Sequence, residues 1–377
     1  MDRLLSNTTP PGAKLYFYRF STIRLHLMKS FFAQFGSLKS SFIIQSFSDA
    51  LSKEIDSNSI IFFWGKKRNE ELIAWADSKE IPVRFVEDGF IRSLGLGSAL
   101  SRPISITVDR QGNYYDPAER SDLESILENR EFKDSELQAA ESLIRLIVAT
   151  GVSKYNHQID GASFSISAPI GQKVILVPGQ VDDDMSLLFG APGMNNLKLL
   201  KLVRNANPNS YIVYKPHPDV LSKNRNGHID NSLLLKYANM IAPNVRIASV
   251  LEHVDEVHTS TSQVGFDALL RGLRVVTYGM PFYAGWGLTT DLSRCERRTR
   301  RLSLQQLVVG VLMHYPLYIN PKTGMLIDVF SAVQMMAEEN AILKANFLRR
   351  LGFRAVGWVL PKCRNLIFLL IGKKMMR

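Results

Sequence analysis

The stretch from Asp255 to Thr289, DEVHTSTSQVGFDALLRGLRVVTYGMPFYAGWGLT, decides the fold class. Its patterning predicts a strand at Glu256 to His258, a hydroxyl-rich turn at Thr259, Ser260, Thr261 and Ser262, a helix over Phe266 to Arg271, and a second strand at Val275 to Tyr278. That succession is the unit of a parallel α/β sheet. The first turn of such a helix presents unpaired N–H groups and the positive end of the macrodipole, so hydroxyls gathered there suit a phosphate. Earlier in the chain, Lys215-Pro216-His217-Pro218 follows the apolar strand Tyr211 to Tyr214, delivering a cation and a directional donor to another strand end. A histidine at such a place is also compatible with a purely structural role. The prolines that fix its backbone, and the hydroxyl turn two elements later, favour binding.

Before that stretch, Val174 to Pro178 predicts a strand, Asn195 to Ala206 a helix and Val245 to Ile247 a strand, so the second half of the chain reads as one Rossmann-like unit. Gln180, just past the strand at Val174, is expected to join Lys215, His217, Ser260, Thr261 and Ser262 around the phosphate. Asp182, Asp183 and Asp184 follow. Three consecutive carboxylates on an extended chain cannot face one point, so capping or cleft lining is the better reading than a metal site. Glu252, His253, Asp255, Glu256 and His258 match no helical ligand spacing of the HExxH kind. No Walker loop is present. No metal and no cofactor are expected.

The first half repeats the pattern. Ser59 to Trp64 is an apolar strand closing on Gly65, Glu70 to Lys79 has helical spacing, and Pro82 to Val86 is a second strand ending in Glu87-Asp88-Gly89. Ligands of open α/β sheets bind at this carboxyl edge. Two adjacent carboxylates there suit a nucleophile or base, and Asp88, with Glu87 beside it, is the expected catalytic pair. A turn aspartate before glycine is the alternative. Arg92 and Arg102, with the loop of Gly95, Gly97 and Ser98, add anion-binding capacity for a substrate. Ser105 to Asp109 is a further strand, followed by Tyr114 and Tyr115, a long charged helix to about Gly151, and a connector over 154–168. Residues 1–40 are expected to hold a strand and an amphipathic helix.

The chain of 377 residues carries 21% charged and 46% hydrophobic residues and a formal charge of +11. From Arg349 to Arg377 there are basic residues at 349, 350, 354, 362, 364, 373, 374 and 377 and no acidic ones, so most of the excess sits in the tail. A nucleic-acid partner, which would call for a basic stripe with stacking aromatics on the folded body, is not expected. The tail interleaves its charges with Phe353, Trp358, Leu366, Ile367, Phe368, Leu369, Leu370 and Ile371, and Pro361, Lys362 and Arg364 interrupt it. It suits an anionic membrane surface and falls short of the ~18 to 20 apolar residues that span one. The N-terminus lacks a signal-peptide core, and Cys295 and Cys363 form no disulfide framework, so a cytoplasmic place on the inner membrane face is expected.

The segments VEDGFIRSLGLGS (86–98), ISITVDRQGNYYD (104–116), PGQVDDDMS (178–186), YKPHPD (214–219), HTSTSQVGFDALLRGLRVVTYGMPFYAGWGLT (258–289) and RRTRRLSLQQLVVGVLMHYPLYINPKTG (297–324) together resemble the capsule polysaccharide biosynthesis proteins of the KpsC type. These are retaining glycosyltransferases that transfer 3-deoxy-D-manno-oct-2-ulosonic acid (Kdo) from CMP-Kdo. The resemblance runs from about residue 58 to 327, one module where the longest members carry two.

It implies an α/β, GT-B-like fold of two facing Rossmann-like domains with parallel sheets: an acceptor and catalytic domain over 1–160 and a nucleotide-sugar-binding domain over 161–300. A helical extension over 301–352 would pack back on the body, and 353–377 would be the membrane-associating tail. Asp88 would fall on the carboxylate that attacks the anomeric carbon, Lys215 and His217 on the family's HP element, and Ser260 to Ser262 on its second phosphate element. The expected partners are the nucleotide-sugar donor, a glycolipid or Kdo-terminated acceptor, and the capsule assembly and export machinery. A different nucleotide sugar on the same fold, and a noncatalytic scaffold of export, are the alternatives.

Overall fold

In chain order the first half contributes β1 (Lys14–Tyr18), β2 (Ser41–Ile44), β3 (Ser59–Trp64), β4 (Val83–Asp88) and β5 (Ser105–Asp109). The second contributes β6 (Val174–Pro178), β7 (Tyr211–Lys215), β8 (Met240–Ile241), β9 (Glu256–Thr259), β10 (Arg274–Thr277) and β11 (Thr290–Asp291), and β12 (Pro316–Ile319) and β13 (Leu326–Ile327) follow. Their β-branched and aromatic composition suits buried strands. These elements belong to a computed structural model that describes residues 12–65, 67–93, 101–154, 164–221 and 225–345. Gly95, Gly97, Ser98 and the basic tail lie outside the described residues.

The strands form two sheets, one of seven strands in the order β13-β12-β5-β4-β3-β1-β2 and one of six in the order β11-β10-β9-β6-β7-β8. The second is parallel throughout. Helices pack on its faces, as in the helix Asn196–Ala206, which starts where Asn195 accepts a hydrogen bond from Lys198 N–H at 2.9 Å and buries Leu199, Leu200 and Val203. The fold is α/β and GT-B-like, two such units side by side.

Three expectations are corrected. The first sheet is mixed, because β5 pairs antiparallel with β4 and β12 antiparallel with β5; the described parts of the β4–β5 connection hold no crossover helix, and without one the chain can return only antiparallel. The stretch over 301–352, read as a helical extension, is not wholly helical. After the helix Leu304–Val308 and a π-helical turn, Val309–His314, it supplies β12 and β13 to the first sheet, then the helix Val329–Ala345. Val245 to Ile247 is not a strand but leads into the helix Ile247–Leu251; the strand of that region is β8. A short apolar run cannot by its period distinguish the two.

The two halves share one hydrophobic cluster, in which Phe90, Tyr114 and Leu127 meet Phe266, Phe282, Tyr283 and Trp286. Phe90 and Phe282 lie 4.4 Å apart between ring centroids. Arginines of the RRTRR run then clasp the halves. Arg297 Nε lies 2.7 Å and Arg298 Nε 3.3 Å from Glu124, whose helix, Asp122–Asn129, belongs to the first half. Arg298 Nη1 also donates to the carbonyls of Pro281 at 2.7 Å and Ala284 at 2.8 Å, and Arg300 Nη1 to that of Arg130 at 2.6 Å. The loop over 281–287 is part of this buried joint: Tyr283, Ala284 and Trp286 are inaccessible to solvent.

Candidate active site between the two sheets

Asp88 ends β4 and Gly89 turns the chain sharply away. Gly89 N–H donates to the Ser105 carbonyl at 3.2 Å, so a β-carbon at Gly89 would strike the Ser105 side chain. The turn therefore requires glycine. Arg92 Nε sits 2.6 Å from Asp88 Oδ1, an ion pair buried at both ends, with 9% and 17% of the side chains exposed. Arg92 Nη1 further donates to Ser93 Oγ at 2.9 Å and to the Ser101 carbonyl at 3.2 Å. The expected substrate-binding Arg92 is thus committed to fixing Asp88 and its loop. Arg102 is exposed and donates to the Pro321 carbonyl at 2.8 Å.

Glu87 folds back so that its Oε1 accepts from Asp88 N–H at 2.9 Å. Desolvation of the carboxylate, then the neighbouring Asp88 charge, push its pKa up to about 7, against the opposing pull of the Asp88 N–H, Lys154 and Arg24. A carboxyl poised there can give or take a proton at neutral pH.

In the second half, His217 Nδ1 accepts from Asp219 N–H at 3.1 Å. That bond fixes the tautomer, so the proton lies on Nε2, ready to donate. Burial lowers the His217 pKa, and Lys154 and Lys215 lower it further against the pull of Asp219 and Asp184, which keeps the ring neutral. The loop holding it is tight: a β-carbon at Gly179 would come within 2.6 Å of the Tyr214 hydroxyl and 3.3 Å of His217 N. Lys215 is buried at the end of β7.

The hydroxyl turn is more internally satisfied than its composition implies. Thr261 N–H donates to Gln180 Oε1 at 3.1 Å while Gln180 Nε2 donates to Thr261 Oγ1 at 3.1 Å. Gln180 and Thr261 therefore lock two strand ends together instead of both pointing at a ligand. Ser260 is buried, and Ser262 Oγ accepts from Val264 N–H at 3.3 Å at the start of the helix Val264–Leu269. Of the three aspartates, Asp184 caps the helix Met185–Gly190 and Asp183 pairs with Arg225 at 2.7 Å. Among the described residues no three His, Cys, Asp or Glu side chains are grouped to hold a metal ion.

The two halves meet at this site. Gln263 Nε2, directly after the hydroxyl turn, donates to the Phe90 carbonyl at 2.7 Å, two residues from Asp88. Lys154 stands between them: its carbonyl accepts from Arg92 N–H at 3.2 Å, and its charge is felt both at Glu87 and at His217. Tyr114 donates to the Asp88 carbonyl at 3.5 Å. The Tyr115 hydroxyl is buried without a hydrogen-bond partner among the described residues, next to Tyr114 and within the field of Glu87. Lys154, Gln263 and Tyr115 were not singled out by the sequence. Lys154 opens what reads as a connector, and only the fold of Gly151 to Lys154 against Arg92 brings it to the site.

A family model described as "Capsule polysaccharide biosynthesis protein" matches residues 59–319. The chain belongs to the capsule polysaccharide biosynthesis family. Within that family it is 45% identical over 295 residues to the capsule polysaccharide modification protein LipA of Neisseria meningitidis serogroup B, covering 78% of this chain and 41% of LipA. The chain thus spans about two-fifths of that relative's length. Two solved structures of KpsC from Thermosulfurimonas dismutans share the architecture. The β-Kdo 2,7 transferase is 35% identical with a TM-score of 0.68, covering 86% of this chain and 99% of that one. The β-Kdo 2,4 transferase is 29% identical with a TM-score of 0.72, covering 88% and 98%. Every element of the site described above from Asp88 to Gln263 lies inside the matched span.

Proposed function

We propose that the chain is a retaining β-Kdo transferase of capsule biosynthesis, moving Kdo from CMP-Kdo to a lipid-linked or Kdo-terminated acceptor. The observation that carries this reading is the meeting of Asp88 with the phosphate side of the cleft, through Gln263 on the Phe90 carbonyl and Lys154 between Glu87 and His217. The likeness to two structures titled β-Kdo transferases supports the choice of sugar.

Retention follows from two displacements. An Asp88 carboxylate oxygen attacks the anomeric carbon of Kdo, the bond to the CMP phosphate oxygen breaks, and CMP leaves with the bonding pair, giving a Kdo ester of Asp88. Arg92 orients that carboxylate through Oδ1. Lys215, His217 Nε2–H and Lys154 stabilise the charge that grows on the departing phosphate, a task that three protein donors can fulfil for one phosphate without a divalent ion. In the second step Glu87 takes the proton from the acceptor hydroxyl as its oxygen attacks the anomeric carbon from the opposite face, and Asp88 is released. Gln180, Ser260, Thr261 and Ser262 shape the phosphate pocket, chiefly through backbone placement.

Incubating the protein with CMP-Kdo generated in situ and a Kdo-terminated glycolipid tests the reading. A β-linked product whose formation resists EDTA supports it; binding that prefers UDP over CMP, or no transfer at all, contradicts the choice of donor. We also propose that the basic tail, 353–377, holds the enzyme on anionic lipid at the inner membrane face, beside the assembly and export machinery. No described helix is long and apolar enough to cross a membrane.

A further inference from the structure

The carboxyl edge of the first sheet carries a second set of charges that the displacement chemistry leaves unused. Arg19 follows β1, Arg24 lies in the first turn of the helix Thr22–Phe32, and Lys67 comes just after β3. Arg24 acts electrostatically on Glu87 and Asp88 at the end of β4, and Arg19 and Arg24 both act on Lys67. The Arg24 guanidinium lies over the indole of Trp64, 4.4 Å from the ring centroid, and Lys67 Nζ donates to the Arg19 carbonyl at 2.8 Å. Arg19 is held at φ 51°, a backbone conformation that a long side chain adopts only when its surroundings impose it.

What sets the group apart is its missing counter-charge. Among the described residues no carboxylate lies within 4.0 Å of Arg19, Arg24 or Lys67. Elsewhere on the same edge arginines are paired: Arg92 with Asp88, and Arg68 with Glu119 and Glu70. The three cations repel one another; partial desolvation lowers the Lys67 pKa, and Arg24 and Arg19 lower it further. Burial lowers that of Arg24 too, although Asp88 and Glu87 pull it up. Trp64 holds Arg24 in place through its ring face, which fixes the guanidinium without engaging its N–H donors in an ion pair. Arg19 and Lys67 are exposed and Arg24 half-buried, so a ligand can reach all three.

We propose that Arg19, Arg24 and Lys67, with Trp64 as the support of Arg24, form a subsite for an anionic group of the acceptor, a sugar carboxylate or a phosphate, beside Asp88 and Glu87. The subsite rests on the transferase reading for calling its occupant an acceptor. Electrostatics gives it a clear purpose, since an acceptor bearing a negative charge must approach two carboxylates. The cations supply that attraction and place the acceptor hydroxyl within reach of Glu87.

The test measures binding by titration calorimetry, without donor, using the methyl β-glycoside of Kdo and glycerol phosphate as probes and the Kdo methyl ester and glycerol as neutral controls. The two charged probes distinguish a carboxylate from a phosphate source. Removing one charge-assisted contact weakens a small anion by about ten-fold or more. Arg24→Gln is expected to do so for the preferred probe, Arg19→Gln and Lys67→Gln to act in the same direction, and Arg24→Lys to retain more affinity than Arg24→Gln. In the transfer assay the same variants should raise the acceptor KM by a matching factor with a much smaller change in kcat. Unchanged affinity for both probes in all three variants, with unaltered melting curves, overturns the proposal and leaves the cations as a balance for Glu87 and Asp88. Failure of the wild-type protein to bind either probe overturns it equally. Anion-selective binding lost in the variants, in a protein that transfers no Kdo, would sustain the subsite and sink the transferase reading instead.

Discussion

At the scale of single residues, the site depends on how β4 ends. Asp88→Asn keeps the shape of the side chain, removes its nucleophilic charge and leaves buried Arg92 without its counter-charge, so transfer is expected to fall by at least about a thousand-fold with a lowered melting temperature in a protein still folded at assay temperature; assay and melt on the same preparation check both. Gly89→Ala places a methyl against Ser105, and an overpacked turn costs about 2 kcal/mol. A lowered urea midpoint together with lost activity is the expected result. Glu87 predicts a pH dependence whose sign follows from its raised pKa. The folded state binds the Glu87 proton more tightly than the unfolded chain does, so this group favours the fold below about pH 4.5 and the contribution is lost as pH rises through about 7. Glu87→Gln should therefore gain stability relative to wild type between pH 5 and 8, visible in paired thermal melts. In the pH profile of kcat, an ascending limb near 7 in the wild type should vanish in Glu87→Gln.

Elements tell how far the sequence could be read. β3, β4, β6, β7, β9 and β10 stand out as apolar runs closing on polar or glycine residues, and the helix Asn196–Ala206 begins where its cap predicts. Asp88 and Lys215 stood out because each ends such a strand, and His217 because it lies two residues beyond one. β12 was not legible, because its partner β5 lies about two hundred residues earlier in the chain and local pattern carries no information on non-local pairing, and β13, two residues long and paired with β12, is too short to show a period. Arg92 was legible as a cation near an anion site, but not as the partner of Asp88, since a pairing four residues apart across a turn depends on the turn's geometry. The same holds for the RRTRR run, in which Arg297 and Arg298 pair with Glu124 while Arg298 and Arg300 donate to backbone carbonyls of the joint. Breaking that joint is costly. Arg298→Met leaves Glu124 half-paired and two buried carbonyls without a donor, a loss of roughly 3 kcal/mol. A denaturant midpoint lowered accordingly, with residual activity below the transition, is the expected outcome.

The whole molecule presents two Rossmann-like sheets whose carboxyl edges converge, one bringing Glu87 and Asp88 and the other Lys215, His217 and the hydroxyl turn. Neither half is complete alone: Lys154 and the Gln263–Phe90 hydrogen bond belong to their meeting. The uneven charge makes a separate prediction at this scale. Removing 353–377 should shift the protein from membrane to soluble fractions while sparing transfer to a short soluble acceptor, and high salt should extract the intact chain if attraction to anionic lipid dominates. On the proposed mechanism Asp88 carries the sugar between donor and acceptor. Intact-mass and peptide analysis of the protein quenched after mixing with CMP-Kdo tests it most directly. An added Kdo on the peptide containing Asp88, discharged by acceptor and absent from Asp88→Asn, is the predicted result; wild-type transfer rates in Asp88→Asn would contradict it.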